Sequence, residues 1–269
     1  MNITIHLKIL KEGLHISQVT HSLKAKDFIA SESVLYPDGF NGERHYHDNA
    51  HFSFVLKGGC AEKKNNYYER SPGSITFYVA GEPHQITNVT QPSYHINFEL
   101  PPCFFSSYDI SGEVIGQAIL NHPRAAVVML KAYQELQLAD AQTETTLRML
   151  LLDLVMQEKV LQRGALPPWV KLVRELVHDH WDKTITLQEL SQASGVHPVT
   201  ISRYFPIHFS CTLGEYMRLL KVQHAIRLIK TSRESLTGIA YHCGFADQSH
   251  FTRNFKFFTG MLPEAFRQL

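Results

Sequence analysis

The stretch Leu236–Arg267, LTGIAYHCGFADQSHFTRNFKFFTGMLPEAFR, has the pattern of two helices joined by a tight turn. Leu236, Ile239 and Ala240 stand at i, i+3 and i+4, which places them on one buried helical face. Gly244 stands where this first helix should end, and the residue at that place commonly needs positive φ, which glycine adopts without strain. The stretch therefore predicts a helix closed by a glycine turn.

A second helix is predicted directly after this turn. Asp247 has the side chain to cap it, and three aromatic residues at i, i+4 and i+7 form its inner face: Phe251, Phe255 and Phe258. The outer face carries small polar groups and an arginine, which suit hydrogen bonding to base edges in a major groove: Gln248, Ser249, Thr252 and Arg253. The stretch predicts a helix-turn-helix that reads DNA.

The same unit occurs twice in the chain. Leu187-x2-Leu190-Ser191-x3-Gly195 precedes Leu236-x2-Ile239-Ala240-x3-Gly244, and Ile201-Ser-Arg-Tyr-Phe205 precedes Phe251-Thr-Arg-Asn-Phe255. Between the copies, an apolar stripe at helical spacing predicts a long amphipathic helix beginning at Leu213. A stiff helix of this kind fixes the distance between the two outer faces. If that distance is about 34 Å, both faces can enter successive major grooves.

Residues 187–267 resemble the DNA-binding domain of the AraC/XylS family of bacterial transcription regulators. The residues that carry the resemblance are Ala240-x3-Gly244-Phe245-x-Asp247-Gln248-Ser249-x-Phe251-x-Arg253-x-Phe255-Lys256-x3-Gly260-x2-Pro263-x2-Phe266-Arg267. The resemblance implies a domain of seven helices, with base contacts from the helices that begin near Pro198 and near Asp247. By motif position, the first helix offers Val199, Ser202 and Arg203, and the second offers Gln248, Ser249, Thr252 and Arg253.

The side chains at these positions suit base recognition. Arg203 and Arg253 can each donate two hydrogen bonds to guanine, and Gln248 can pair with adenine. Thr252 and Val199 can contact a thymine methyl group. Lys256 and Lys221 suit phosphate, where binding depends on salt and not on sequence. The alternative for each arginine is a solvated side chain or a phosphate contact.

Pro206 departs from the family pattern, which has two basic residues after the first Phe and a glycine at the end of that helix. A proline lacks the N–H that would bond to the carbonyl of Ser202 and crowds the preceding turn. We therefore expect the first recognition helix to kink or stop near Tyr204–Phe205.

The N-terminal part of the chain has a β-rich texture. Short runs such as HFSFVLKG (51–58), SITFYVAG (74–81) and SYHINFEL (93–100) alternate with turn residues, which favours a barrel or sandwich. The motifs His45-x-His47-x3-His51-x6-Gly58 and Pro72-Gly73 with Gly81-x2-His84-x3-Asn88 resemble the paired motifs of the cupin barrel, with His51 at the usual glutamate position. The predicted fold class is α+β: a cupin-like barrel (1–111), then helices, then an all-α double helix-turn-helix.

The histidines of these motifs are the candidate effector site, together with Arg44, whose planar group can pair with a carboxylate. His45 and His47 lie two residues apart and so project from one face of a strand. In metal-binding cupins such residues hold a divalent ion, and His45, His47, His51 and His84 would form an imidazole set suited to Zn, Cu, Fe or Ni. The alternative is a polar pocket for a small organic effector without metal, and we expect no cofactor. No general base or nucleophile stands out beyond these residues, so the sequence predicts no enzyme.

Residues 112–163 have helical periodicity, including TETTLRMLLLDLVMQEKVLQ (143–162), with an apolar arc wider than one packing partner needs. In one alternative, two faces of the helix are buried within one monomer. In the other, which the family resemblance favours, one face packs against a second copy of the chain in a homodimer. Gly164–Pro168 is the predicted linker, because the residue before a proline avoids the helical region. The DNA-binding domain is predicted to span residues 169–269.

Composition agrees with a regulator of two domains. Of the 26 basic and 25 acidic residues, 14 and 17 lie in residues 1–165, against 12 and 8 in residues 166–269. A basic C-terminal part suits a nucleic-acid binder. The four cysteines have no CxxC spacing, and the polar N-terminus MNITIHLKILKEG lacks the core of a signal peptide. These features predict a soluble, cytoplasmic protein.

The sequence therefore predicts a transcription regulator that binds double-stranded DNA, responds to a small-molecule effector and is compatible with contacts to RNA polymerase. Two alternatives remain open. In one, the barrel has lost its effector and serves only in assembly. In the other, a metal-dependent cupin enzyme is fused to a DNA-binding domain.

Overall fold

The computed structural model describes residues 7–38, 42–163 and 166–269, with residues 160–163 described by their backbone alone. The chain divides into two compact units, one running to Leu154 and the other from Val155 to Gln268. The division falls inside a helix of the predicted helical region 112–163. Residues 164 and 165 of the predicted linker lie outside the described residues. No helix in the described ranges has both the length and the apolarity needed to cross a membrane.

The first unit begins with ten strands. The β-rich runs in the sequence predict only some of them. They are β1 (Lys8–Leu10), β2 (Gln18–Lys24), β3 (Ile29–Leu35), β4 (His45–His47), β5 (Ala50–Lys57), β6 (Cys60–Lys63), β7 (Tyr67–Arg70), β8 (Ile75–Tyr78), β9 (Gln85–Thr87) and β10 (Ser93–Leu100).

The strands form a five-stranded sheet of order β2-β3-β10-β5-β8, a three-stranded sheet of order β7-β6-β9 and a parallel pair of β1 and β4. The backbones of His45 and His84 exchange hydrogen bonds of 2.9 and 2.8 Å, so the parallel pair continues next to β9. Among the described strands, β2 and β8 remain edges of the larger sheet. The pairings thus form a sheet-rich region and do not close into the predicted barrel.

Four helices follow the strands: α1 (Pro102–Tyr108), α2 (Gly112–Asn121), α3 (Ala125–Leu138) and α4 (Thr143–Arg163). Gly116 lets α2 approach the sheet, because a Cβ there would lie 3.3 Å from the ring of Phe77. Arg148 on α4 donates two hydrogen bonds, of 2.8 and 3.2 Å, to the carboxylate of Asp27, and these bonds lower the pKa of that carboxyl. The structure has helices throughout the predicted helical region.

The C-terminal part contains the seven helices that the family resemblance implies. They are α5 (Pro168–Asp179), α6 (Leu187–Ser194), α7 (Pro198–Phe209), α8 (Leu213–Thr231), α9 (Leu236–His242), α10 (Gln248–Thr259) and α11 (Pro263–Gln268). Helices α6–α7 and α9–α10 are the two predicted helix-turn-helix units. The glycine of each turn, Gly195 or Gly244, has φ of +68°. Helix α8 is the predicted connecting helix.

The expectation that α7 stops near Tyr204–Phe205 is wrong, because the helix continues through Pro206 to Phe209. The alternative of a kink near these residues stays a prediction. Burial of aromatic rings accounts for the extra turn. Phe205 and Phe209 stack at 4.3 Å, and both rings lie against Tyr216 of α8. The N–H of Ser210 donates to the Pro206 carbonyl at 2.9 Å and closes the helix. Packing of the last turn therefore offsets the hydrogen bond that proline removes.

Replacing Pro206 with Ala should stabilise the C-terminal unit. The substitution restores the N–H that can bond to the Ser202 carbonyl, and an interior proline costs a helix about 3 kcal/mol relative to Ala. Proline also restricts the unfolded chain, which recovers up to about 1 kcal/mol. We expect a net gain of about 1–2 kcal/mol, measured as a higher melting temperature.

Ile207→Ala is the matched control, since Ile207 is the next residue and is 65% exposed. Its effect should stay within about 0.5 kcal/mol. A lower melting temperature for Pro206→Ala would show that the proline fits α7 better than this account allows.

Candidate nucleic-acid interface and histidine-lined cavity

The second helix-turn-helix unit is fixed by the residues that the sequence singled out. Asp247 caps α10 by accepting a hydrogen bond from the His250 N–H at 2.7 Å. Phe251 and Phe255 are fully buried, and Phe258 is half-buried. The inner face of α10 is therefore the predicted one, and its opposite face is left to solvent.

Lys221, which we expected to contact a DNA phosphate, instead holds the turn of this unit. Its side chain is buried, and the Nζ donates to the Gly244 carbonyl oxygen at 2.6 Å. Burial lowers the pKa of this amine. The phosphate role is therefore wrong for Lys221: α8 carries the ammonium group inward, where it satisfies a carbonyl at the end of α9.

The outer face of α10 carries every predicted contact residue of the second unit. Gln248, Ser249, Arg253 and Lys256 are exposed, and Thr252 is half-buried. The hydroxyl of Thr237 on α9 donates to Oε1 of Gln248 at 2.5 Å. This contact orients the Gln248 amide, and sequence reasoning missed it because no motif links two exposed residues eleven positions apart.

The first unit presents a similar face. Thr186 and Glu189 form a reciprocal cap at the start of α6, and the Nδ1 of His197 accepts from the Val199 N–H at the start of α7. Val199, Ser202 and Arg203 are exposed along α7. Arg203 and Arg253 thus occupy equivalent places on two exposed helices. Both can donate paired hydrogen bonds to a planar acceptor pair such as a guanine edge.

The N-terminal unit contains a cavity of about 40 Å³ beside β4, β5 and β8. One water molecule needs about 10–15 Å³ on this measure, so the cavity has room for roughly three. Within the described residues its wall carries six histidines: His15, His45, His47, His51, His84 and His95. Four of them are predicted site residues. Arg44 is half-buried and is not part of this wall.

Three of the predicted histidines converge. His45, His47 and His84 are buried, and one ring nitrogen from each lies within 4.8 Å of the others. The fourth, His51, has its ring centroid 4.0 Å from that of His47 and stacks on Tyr78 at 4.2 Å. The strand alternation that pointed His45 and His47 to one face is therefore confirmed.

The proton positions on two of these rings follow from their partners. Nδ1 of His45 lies 2.9 Å from the Glu43 carbonyl oxygen, and Nδ1 of His84 lies 3.0 Å from the Glu82 carbonyl oxygen. Each Nδ1 must donate, so each Nε2 of a neutral ring keeps its lone pair. Burial lowers the pKa of His47 to about 3 and of His84 to about 2. The neutral ring predominates at pH 7.

A buried polar cluster lies behind these rings. The Tyr78 hydroxyl donates to Glu62 Oε2 at 2.7 Å, and Arg70 Nη1 lies 3.4 Å from the same oxygen. Arg70 also donates to the Ser53 carbonyl at 3.2 Å. Sequence reasoning missed Arg70 and Tyr78, because neither belongs to a motif. They fix the far wall of the cavity.

The three converging histidines fit a divalent metal ion. Three imidazole nitrogens with an open fourth position are a known zinc arrangement. His47 Nδ1 and His51 Nδ1 are buried and have no hydrogen-bond partner. The same wall, with Ser33, Ser53 and Asn97, can also hydrogen-bond a small polar molecule.

Comparisons with known proteins identify the C-terminal part. Residues 190–269 match a family model described as a helix-turn-helix domain. The chain is 29% identical over 92 residues to the HTH-type transcriptional activator RhaS of Escherichia fergusonii, covering 34% of this chain and 33% of that protein. RhaS of Salmonella paratyphi B is 24% identical over 156 residues, covering 57% and 56%. The matches thus span about a third to just over half of these curated relatives.

A solved structure resembles a larger share of the chain. Unsaturated-fatty-acid-bound ToxT from Vibrio cholerae covers 90% of this chain and 95% of its own, at 13% identity and a TM-score of 0.35. The matched family model covers most of α6 and all of α7 to α11, and so includes both helix-turn-helix units. Residues 190–269 of this chain are accordingly a helix-turn-helix domain of the AraC type.

Proposed function

We propose that this chain is a sequence-specific DNA-binding transcription regulator whose N-terminal unit binds a small effector. The observation that carries the proposal is the duplicated helix-turn-helix. Both outer helices expose an arginine with small polar neighbours at equivalent positions, and buried phenylalanines anchor both from behind. A single protomer then offers two recognition helices, which suits a site longer than one groove can provide.

The base contacts of the proposal come from α7 and α10. Val199, Ser202 and Arg203 act in the first helix, and the second supplies four residues: Gln248, Ser249, Thr252 and Arg253. Lys256 contacts phosphate. The RhaS relatives are named transcriptional activators, which supports activation as the outcome of binding.

The effector site of the proposal is the histidine-lined cavity. His45, His47, His51 and His84 line it, and all four side chains are buried. Six imidazoles around so small a space exceed what packing requires, since an imidazole carries two polar nitrogens that need partners. This concentration supports binding of a ligand there.

A homodimer in the cytoplasm completes the proposal. Among the described side chains of residues 112–159, the helices expose three large apolar groups: Leu120 (54%), Leu138 (66%) and Met149 (67%). Exposed apolar surface on neighbouring helices supports pairing with a second copy. RNA polymerase is the further protein partner of an activator in this proposal.

Selection of duplexes tests the proposed function. Full-length protein is mixed with fragmented genomic DNA at moderate salt, and the bound fragments are sequenced. We expect enrichment of one recurring motif over fragments of equal length and composition. Binding that is lost with added salt and enriches no motif would reduce the chain to a non-specific DNA binder and contradict the proposal.

A further inference from the structure

Gln248 is the first residue of α10, and a hydrogen bond from the preceding helix holds its side chain. The Thr237 hydroxyl on α9 donates to Oε1 of Gln248 at 2.5 Å. Both residues are exposed. The hydrogen bond therefore links the two helices of the second unit at a residue that the proposed function assigns to DNA.

The backbone on both sides of this hydrogen bond is held in place. Ser235 caps α9 by accepting from the Gly238 N–H at 3.0 Å, which places Thr237 in the first turn of the helix. Phe245 in the turn is buried, and its ring centroid lies 5.3 Å from that of Phe251 on α10. The crossing of the two helices is fixed by these contacts, so rigid elements bring the hydroxyl to the amide.

The hydrogen bond decides which end of the Gln248 amide is free to meet a base. A threonine hydroxyl has one proton, and donating it to Oε1 holds that oxygen toward α9. The two N–H donors of Nε2 are then the groups left for a base. A glutamine without this contact can turn its amide over and present either a donor or an acceptor.

A donor held at a base edge distinguishes one base from the other three. In the major groove guanine, adenine and thymine each present an acceptor, whereas cytosine presents only its N4 amino donor. A donor held toward cytosine would meet another donor, and neither group would have a partner. The anchored amide is therefore compatible with three bases and incompatible with cytosine.

The first unit has different residues at both positions. Gln188 stands at the position equivalent to Thr237, and Pro198 stands at the position equivalent to Gln248. The proline side chain has no hydrogen-bonding group. The link between Thr237 and Gln248 is thus not part of the packing that the two copies share, which favours a role in recognition.

We infer that Thr237 is a positioning residue for base recognition: it fixes the Gln248 amide so that Nε2 reads a base with a major-groove acceptor and rejects cytosine. The inference rests on the proposed DNA-binding function. Ordering a flexible side chain at an interface costs affinity, and the hydrogen bond removes part of that cost before DNA binds. Exclusion of water by the bound duplex strengthens the same hydrogen bond.

The first experiment locates the base that Gln248 reads. Fluorescence polarisation of full-length protein is measured with duplexes that carry each of the four base pairs at every position of the selected duplex. Gln248→Ala should remove the preference at one base pair, and there the wild type should disfavour cytosine by about tenfold. Equal affinity of the wild type for cytosine at that base, or no position at which Gln248→Ala matters, would overturn the inference.

Thr237→Val tests the positioning role, because valine keeps the shape of threonine and removes the hydroxyl. We expect the discrimination against cytosine to fall by about threefold to tenfold, the worth of one net hydrogen bond, with the melting temperature and the affinity for unrelated duplexes unchanged. Thr237→Ser keeps the hydroxyl and should retain the discrimination. A Thr237→Val variant that weakens all duplexes alike would show a structural role and overturn the inference.

A double-mutant cycle shows whether Thr237 acts through Gln248. In a Gln248→Ala background, Thr237→Val should have no further effect on base preference. Gln188→Ala, at the equivalent position of the first unit, is the matched control and should leave the preference at that base pair unchanged. Additive losses in the cycle, or the same loss in Gln188→Ala, would overturn the coupling of Thr237 to Gln248.

The outcomes separate this inference from the proposed function. If the wild type selects no recurring motif, the proposed function fails and the inference fails with it. If the wild type selects a motif and Thr237→Val keeps the full discrimination against cytosine, the inference alone is overturned and the proposed function stands.

Discussion

Gly244→Ala is expected to destabilise the C-terminal helices by about 3 kcal/mol or more. Gly244 has φ of +68°, which costs an L-residue about 1–2 kcal/mol. Its Cβ would also lie 1.9 Å from the carbonyl oxygen of Asp182, so the backbone must move. Such overpacking adds about 1–3 kcal/mol.

Tryptophan fluorescence measures this loss selectively, because both tryptophans of the chain, Trp169 and Trp181, lie in the C-terminal unit. Trp181 stacks on His224 at 3.6 Å, so its emission reports on native packing. At about 4–8 °C per kcal/mol for a domain of this size, the melting temperature should fall by more than about 12 °C.

Gly195→Ala is the matched control for the clash. Gly195 has the same φ of +68° in the first turn, but a Cβ there meets nothing within 4 Å. Only the cost of the positive φ remains, so we expect the free energy of unfolding to fall by about 1–2 kcal/mol. Equal losses for the two substitutions would show that the contact with Asp182 does not constrain the second turn.

Arg253→Ala is expected to weaken binding to the selected duplex by about tenfold to a hundredfold. Arg253 is exposed on α10 and can donate two parallel hydrogen bonds to guanine, a pair worth about 1–3 kcal/mol of discrimination. Affinity for unrelated duplexes should fall far less. Fluorescence polarisation with both duplexes at one salt concentration measures the difference.

Two further substitutions distinguish a base contact from a phosphate contact at Arg253. Lys256→Ala on the same helix should weaken all duplexes alike and lower the salt dependence by about one unit of slope, as expected for a phosphate contact. Arg174→Ala removes an exposed arginine of α5 and should change neither affinity. If Arg253→Ala weakens specific and unrelated duplexes equally, Arg253 contacts phosphate and the assignment to a base is wrong.

The second helix-turn-helix could be predicted closely because its signals are local. The cap at Asp247, the glycine turn and the buried faces of Phe251 and Phe255 each depend on neighbours within one or two turns. Pro206 and Lys221 could not be placed in this way. The extra turn of α7 depends on Tyr216, and the position of Lys221 depends on the end of α9. Both outcomes follow from contacts between helices that the periodicity of a single helix does not contain.

The residues of the cavity also separate into those that the sequence motifs predicted and those that depend on contacts between distant segments. The spacing of His45 and His47 placed them on one face, and the motif resemblance brought in His84. Arg70 on β7 and Tyr78 on β8 join the wall through strand pairings whose register a linear sequence does not specify, and His15 joins it from the connection between β1 and β2. The barrel was predicted from the spacing of strands and turns together with the resemblance to the cupin motifs. The larger sheet instead ends at β2 and β8, since closure depends on pairings between distant strands.

Methylation interference on the selected duplex tests whether one chain reads DNA through both α7 and α10. We predict two groups of major-groove guanines about one helical turn apart, on one face of the duplex. Arg203→Ala should abolish interference in one group and Arg253→Ala in the other. A single group of guanines that both substitutions affect, or a site insensitive to major-groove methylation, would contradict it.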